Sequence, residues 1–170
     1  MILYHGTYLD FNEIDLKKCA PYKDFGTGFY TTEIFEQAQA MAVRKSKLFG
    51  GTPCVLSYEI ADDFLHNTGL SIKVFPETSE EWALFIINNR NYDFSELTSP
   101  LCNRDNKYEI VSGPVANDTL TTLIKRYQRG YIDTAILLKE MKYVAPTNQH
   151  SFHSERAVKL LKKVGVKWIT

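Results

Sequence analysis

Three short blocks of the chain carry residue types that could do chemistry. His5-Gly6-Thr7 ends the apolar run Met1-Ile2-Leu3-Tyr4. Phe25-Gly26-Thr27-Gly28-Phe29-Tyr30-Thr31-Thr32 follows, and Asn148-Gln149-His150-Ser151-Phe152 lies near the C-terminus. An imidazole can both donate and accept hydrogen bonds. A glycine lets a flat ligand approach its backbone N–H and C=O closely, and Thr7 adds a hydroxyl beside it. Tyr30 comes directly after a Gly-Thr-Gly turn, which suits delivery of an aromatic ring onto a planar group such as nicotinamide. In this order the blocks suggest a site that grips a dinucleotide. Taken singly, each also reads as ordinary structure: a strand-to-turn junction, or a core tyrosine behind a tight turn.

Other chemistries find less support. The Gly26-Thr27-Gly28 turn lacks the third glycine of a dinucleotide fingerprint and precedes a strand, and no Gly-Lys-Ser/Thr makes it a P-loop. Cys19, Cys54 and Cys102 are odd in number and far apart, so they read as free thiols in a reducing cytoplasm. His150 and His153 flank the third block without a third ligand at metal spacing, so no metal site is expected. The chain has 170 residues, with 20 Lys plus Arg against 20 Asp plus Glu. This zero net charge gives no global reason to bind nucleic acid or a membrane surface. Local basic groups at Arg44, Lys45 and Lys47, at Lys125, Arg126 and Arg129, and at Lys159, Lys162 and Lys163 read as solvated helix faces. No signal peptide or run of ~18 apolar residues appears, so the expectation is a cytoplasmic protein without a membrane span.

The elements that must position these blocks alternate irregularly. Strands are expected over 2–5, 29–32, 54–60, 70–75, 108–111 and 166–169. Helices are expected over 34–48 with Thr32 as cap and Gly50-Gly51 as stop, after the Ser79 cap, over 119–129 and 132–143 with Asp133 able to cap the second of these, and over 154–163. Without regular βα alternation, the pattern favours an α+β fold in one domain over 1–170, with short mixed or antiparallel sheets and helices outside. Ser154 and Glu155 read as the cap and first turn of the last helix.

The ordered motifs His-Gly-Thr and Phe-Gly-Thr-Gly-Phe-Tyr resemble the first two signature blocks of the ADP-ribosyltransferase superfamily, in its diphtheria-toxin and poly(ADP-ribose) polymerase branch with a His–Tyr–Glu triad. The whole chain is similar to a bacterial family of unassigned function grouped with these enzymes. The shared hallmarks are the Tyr-His-Gly start, the Gly-Phe-Tyr block, Gly113-Pro114-Val115-Ala116, and Asn148-Gln149 followed by Phe152-His153. The resemblance implies a split β-sheet core with surrounding helices, and NAD as co-substrate of a mono-ADP-ribosyltransferase. It implies that His5 bonds the adenosine-side ribose, Gly6 holds the nicotinamide carboxamide through its backbone, Thr7 assists at the ribose and Tyr30 stacks on nicotinamide. His5, Tyr30 and Gln149 would be the catalytic set. The acceptor would be a protein or nucleic acid, and the biology that of a bacterial toxin with an antitoxin, or of phage defence.

Two positions depart from that pattern. The third triad position holds Gln149, which can accept a hydrogen bond but brings no charge to an oxocarbenium-like transition state. The second stacking tyrosine of some relatives is replaced by a region of Ala38, Met41 and Ala42, leaving Met41 as a softer pocket wall. Glu155 is the nearest carboxylate in sequence, and its helix position accounts for it. Two rival readings stand beside the enzyme: a non-catalytic NAD- or nucleotide-binding or interaction domain that kept the fold, and an RNA-binding module using the basic helix around Tyr127.

Overall fold

The computed structural model describes residues 1–141 and 147–170. The end of the expected 132–143 helix lies partly outside the described residues. Within them the chain forms β1 (Ile2–Thr7), β2 (Phe29–Thr32), α1 (Phe35–Phe49), β3 (Cys54–Glu59), β4 (Ile72–Val74), α2 (Glu80–Arg90) and β5 (Ile110–Pro114). There follow α3 (Asp118–Gln128), α4 (Thr134–Met141), β6 (Asn148–Phe152), α5 (Glu155–Val158) and β7 (Lys162–Trp168). The fold is mixed α+β, as the element pattern predicts. Instead of short separate sheets, the strands form one seven-stranded sheet in the order β4-β5-β6-β2-β1-β3-β7. The β4–β5 pair is parallel and the other neighbours are antiparallel.

Period-2 alternation sorts the side chains into two cores. On one face, Phe25, Phe75, Val111 and the inner residues Trp82, Phe85 and Ile86 of α2 pack with Leu120, Ile124, Leu137 and Met141 of α3 and α4. On the other, Leu3, Phe29, Leu56, Tyr58, Ile110 and Phe152 pack with Phe64 and with Ala157 and Val158 of α5. Each fully buried aliphatic or aromatic side chain contributes roughly 1.5–3 kcal/mol of transfer free energy.

Helix α1 lies against β1 because Gly6 admits it. A Cβ on Gly6 would stand 1.9 Å from the Ala38 carbonyl oxygen and 2.8 Å from the Ala42 amide nitrogen. Tyr4 meets Phe35 edge-on at 5.5 Å, which seats the first turn. The helix ends at Gly50, whose φ of +81° few other residues adopt cheaply.

Caps read from sequence hold at Ser79, whose hydroxyl accepts the Trp82 N–H, and at Asp133, which accepts the Ile136 N–H. Thr32 differs. It remains in β2, Ile34 takes the cap position, and the Thr32 hydroxyl accepts the Ile34 N–H while donating to Gln37 Oε1. The C-terminal segment differs more. Its helix is the single turn α5, capped by Ser154 as expected, and the chain then turns into β7, where Lys162 pairs with Glu59 and Lys163 with Tyr58. The exposed side chains of Val164, Val166 and Trp168 alternate along this edge strand, and long-range pairing with β3 overrides the helix-forming lysines. Among the described residues, no helix is long and apolar enough to cross a membrane.

Candidate functional site

The middle joint of the sheet is thin. Strand β1 pairs with β3 from Ile2↔Glu59 to Thr7↔Cys54, and β2 pairs with β6 at four positions, but β1 and β2 meet only at Tyr4↔Thr32. Beyond that pair the strands part, and the parting is bridged by a side chain. His5 Nδ1 lies 2.7 Å from the Tyr30 carbonyl oxygen. A carbonyl only accepts, so Nδ1 carries the proton and Nε2 presents its lone pair. That lone pair faces Lys45 Nζ at 3.5 Å, and the same ammonium donates to the Gly6 carbonyl at 2.8 Å. The imidazole stacks on Phe29, with centroids 4.3 Å apart, and meets Phe11 edge-on. Burial and the Lys45 charge press the His5 pKa down to about 3, so the ring is neutral at physiological pH. Burial and the neighbouring Lys23 bring Lys45 down to about 8.

Tyr30 is held by the loop before it. Its hydroxyl donates to the Gly26 carbonyl at 2.8 Å and accepts the Phe25 N–H at 2.9 Å. Gly26 is required there: its φ is +94°, and a Cβ would lie 2.7 Å from the Asn103 carbonyl oxygen. Burial, then the charge of Asp24, pushes the Tyr30 phenol well above its ordinary range. Asp24 itself is clamped. Arg90 of α2 gives Oδ1 two hydrogen bonds, from Nε at 2.9 Å and Nη2 at 2.6 Å. The other oxygen, Oδ2, accepts Gln149 Nε2 at 3.0 Å. Asn89, also on α2, donates to the Asp24 carbonyl at 3.2 Å.

Register decides which residues share a face. Tyr30 lies opposite Ser151 and Thr32 opposite Gln149, so Tyr30 and Gln149 are diagonal neighbours on one face. Tyr4 is opposite Thr32, which puts Gly6 on that face too, and His5 and Thr7 on the other. The structure therefore brings Tyr30 and Gln149 together through the Asp24 loop. It ties His5 to Tyr30 at the backbone, with the rings on opposite faces. Thr7 is buried, and its hydroxyl accepts the Leu9 N–H at 3.3 Å. Met41 lies one turn before Lys45 on α1 and is 45% exposed. A ligand touching the whole expected set must straddle the end of the β1–β2 joint.

The imidazoles of His150 and His153 are both engaged by protein partners. His150 donates from Nε2 to Glu33 at 2.9 Å and takes the Ser112 hydroxyl on Nδ1 at 2.9 Å. His153 gives its Nδ1 proton to the Thr27 carbonyl at 2.8 Å and meets the Ser151 hydroxyl at Nε2, also at 2.8 Å. It lies under Gly28, where a Cβ would come within 2.5 Å of the ring. Burial lowers the pKa of both rings, His153 to about 4, while Glu33 works in the opposite direction on His150.

Three residues at the site escape a reading by motif. Asp24 and Arg90 lie 66 residues apart, and Asp24 lies 125 from Gln149, so no local spacing announces them. Lys45 belongs to a basic group read as a solvated face. Arg44 and Lys47 are indeed exposed, but Lys45 is half-buried at the parting. Its spacing from Ala38 and Ala42 is the available signal, because those two alanines mark the face of α1 that meets Gly6 of β1. No curated protein and no solved structure matches the chain. A family model described as a protein of unknown function, DUF3990, matches residues 1–163, and the chain belongs to that family.

Proposed function

We propose that this chain is an NAD-dependent mono-ADP-ribosyltransferase that works at the parting of β1 and β2. The observation that carries the reading is the convergence of three separate sequence blocks on two adjoining strand junctions: His5 bonded to Tyr30 O, and Tyr30 diagonal to Gln149. The donor set fits such a ligand. The Gly6 carbonyl already accepts an N–H donor, the Lys45 ammonium, and a nicotinamide carboxamide could take the same bond. Lys45 would then be released toward the diphosphate, where a cation lowers the cost of holding two negative charges.

In this mechanism Tyr30 presents its ring to nicotinamide, and its hydroxyl stays on Phe25 and Gly26, which keeps the ring orientation fixed. Gln149 accepts a ribose hydroxyl. The bond between the ribose carbon and the nicotinamide nitrogen breaks with its electron pair going to nicotinamide. A lone pair of a protein or nucleic-acid acceptor forms the new bond, and the acceptor's proton passes to solvent. The same reading takes in a toxin controlled by an antitoxin, or a phage-defence enzyme.

The uncharged Gln149 favours one rival, a domain that binds NAD without cleaving it. Incubation with labelled NAD and a cell lysate separates the two. The enzyme reading expects label in macromolecules with wild type and its loss in Gln149→Ala. Tight NAD binding by calorimetry with no label transferred and no nicotinamide released establishes the rival.

A further inference from the structure

We propose that Asp24 is a positioning residue of this same site: it turns the Gln149 amide so that Oε1 faces the ligand, and, with Arg90 held on its far oxygen, it directs the negative pole of the Asp24–Arg90 pair toward the site. The inference rests on the NAD reading above.

A carboxylate accepts and an amide NH2 donates, so the prong of Gln149 that meets Asp24 Oδ2 at 3.0 Å is Nε2. The other prong, Oε1, is then directed away from Asp24. That oxygen is the only part of the side chain able to take a hydrogen bond from a ribose hydroxyl. An unanchored glutamine would present either prong, and the NH2 prong would place a partial positive charge beside a developing cation. Asp24 removes that ambiguity.

Asp24 is built to hold this position. Both Arg90 contacts fall on Oδ1, which leaves Oδ2 to Gln149. Its side chain is 13% exposed, so solvent screens it little; Arg90 on Oδ1 offsets much of its charge and leaves the negative pole of the pair at Oδ2. The two residues after Asp24, Phe25 and Gly26, hold the Tyr30 hydroxyl, so one loop fixes both the stacking ring and the acid. As the ribose carbon loses nicotinamide and its electron pair, positive charge grows at that carbon. The fixed negative pole of the Asp24–Arg90 pair, behind a polarised amide, stabilises that charge without reorganising. The pairing also explains why residue 149 is a glutamine. A glutamate there would set two carboxylates about 3 Å apart, where both cannot ionise at neutral pH.

The test is nicotinamide release from NAD by wild type, Asp24→Asn, Gln149→Glu and the exchanged pair Asp24→Asn/Gln149→Glu, with kcat and KM separated and each variant's fold checked by thermal melting. The expected result is a kcat loss of about 10²-fold in Asp24→Asn with KM nearly unchanged. Gln149→Glu should fall below wild type, and the exchanged pair, which restores one acid and one amide, should recover at least tenfold over Gln149→Glu. If Asp24→Asn fails to fold, the comparison of Gln149→Glu with the exchanged pair decides alone. Asp24→Asn turning over within twofold of wild type, or an exchanged pair no better than Gln149→Glu, overturns the inference and leaves the NAD reading standing. A folded wild type that neither binds nor cleaves NAD overturns both.

Discussion

The Lys45 ammonium donates to the Gly6 carbonyl at 2.8 Å, at the place where strands β1 and β2 part. Among the described residues, no carboxylate lies within ion-pair distance of it. A half-buried cation without a counter-charge carries a desolvation cost that a purely structural lysine has no reason to retain. Lys45→Met is therefore expected to leave the melting temperature at pH 7 unchanged or raised, while weakening NAD binding about tenfold or more. The folded-state pKa of about 8 lies below the unfolded value of 10.5, so the native state binds fewer protons between these pH values. Wild type should gain stability relative to the variant as pH rises through that window. Denaturant melts at pH 7 and pH 10 check this.

Gly6→Ala asks which demand keeps the glycine. A methyl 1.9 Å from the Ala38 carbonyl must push α1 off β1. Overpacking against backbone costs about 1–3 kcal/mol or more. A lowered melting midpoint is expected before any ligand is added. An unchanged midpoint would mean that the helix moves freely and that the glycine serves only the ligand.

Tyr30→Phe and Tyr30→Ala separate anchoring from stacking. The phenylalanine keeps the ring but leaves the Phe25 N–H and Gly26 carbonyl without their hydroxyl partner, a loss of about 1–3 kcal/mol in stability. Its NAD affinity should stay within a few-fold of wild type. The alanine should lose affinity as well. Calorimetry beside thermal melting distinguishes the two effects.

The buried histidines make the fold acid-sensitive. His5, His150 and His153 all have folded pKa values below the unfolded 6.5, at about 3 and about 4 for His5 and His153. The unfolded chain therefore takes up protons that the native chain refuses. Their contribution is complete above pH 6.5 and is lost as pH falls, toward about 4 for His153 and about 3 for His5. Each can add up to ~1.4 kcal/mol per pH unit to the slope. A stability profile between pH 7 and pH 4.5 should fall steeply, and His153→Gln should show a shallower slope than wild type.

Much of this was legible in the chain because it is local. The apolar run into His5, the Ser79 and Asp133 caps and the Gly50 stop each act within a few residues, and each appears where the spacing predicts. What escaped depends on distant partners. Lys162 and Lys163 have helical neighbours, yet they pair with Glu59 and Tyr58 across the sheet edge. The single Tyr4↔Thr32 pair makes one sheet of two ladders, and no periodicity encodes a ladder one pair long. The third block located Gln149, but its partner comes from a loop 125 residues earlier, clamped by a helix whose pattern reads only as core. Lys45 looked solvated because its charged neighbours are.

A structure of the chain soaked with NAD decides whether one ligand occupies the joint of β1 and β2. The expected result is NAD lying across the end of the β1–β2 pairing, with nicotinamide against Tyr30, Gln149 Oε1 on the ribose, His5 at the adenosine side and Lys45 Nζ drawn off the Gly6 carbonyl. NAD bound elsewhere, or none bound at saturating concentration with Lys45 still on Gly6, would rule out this joint as the NAD site.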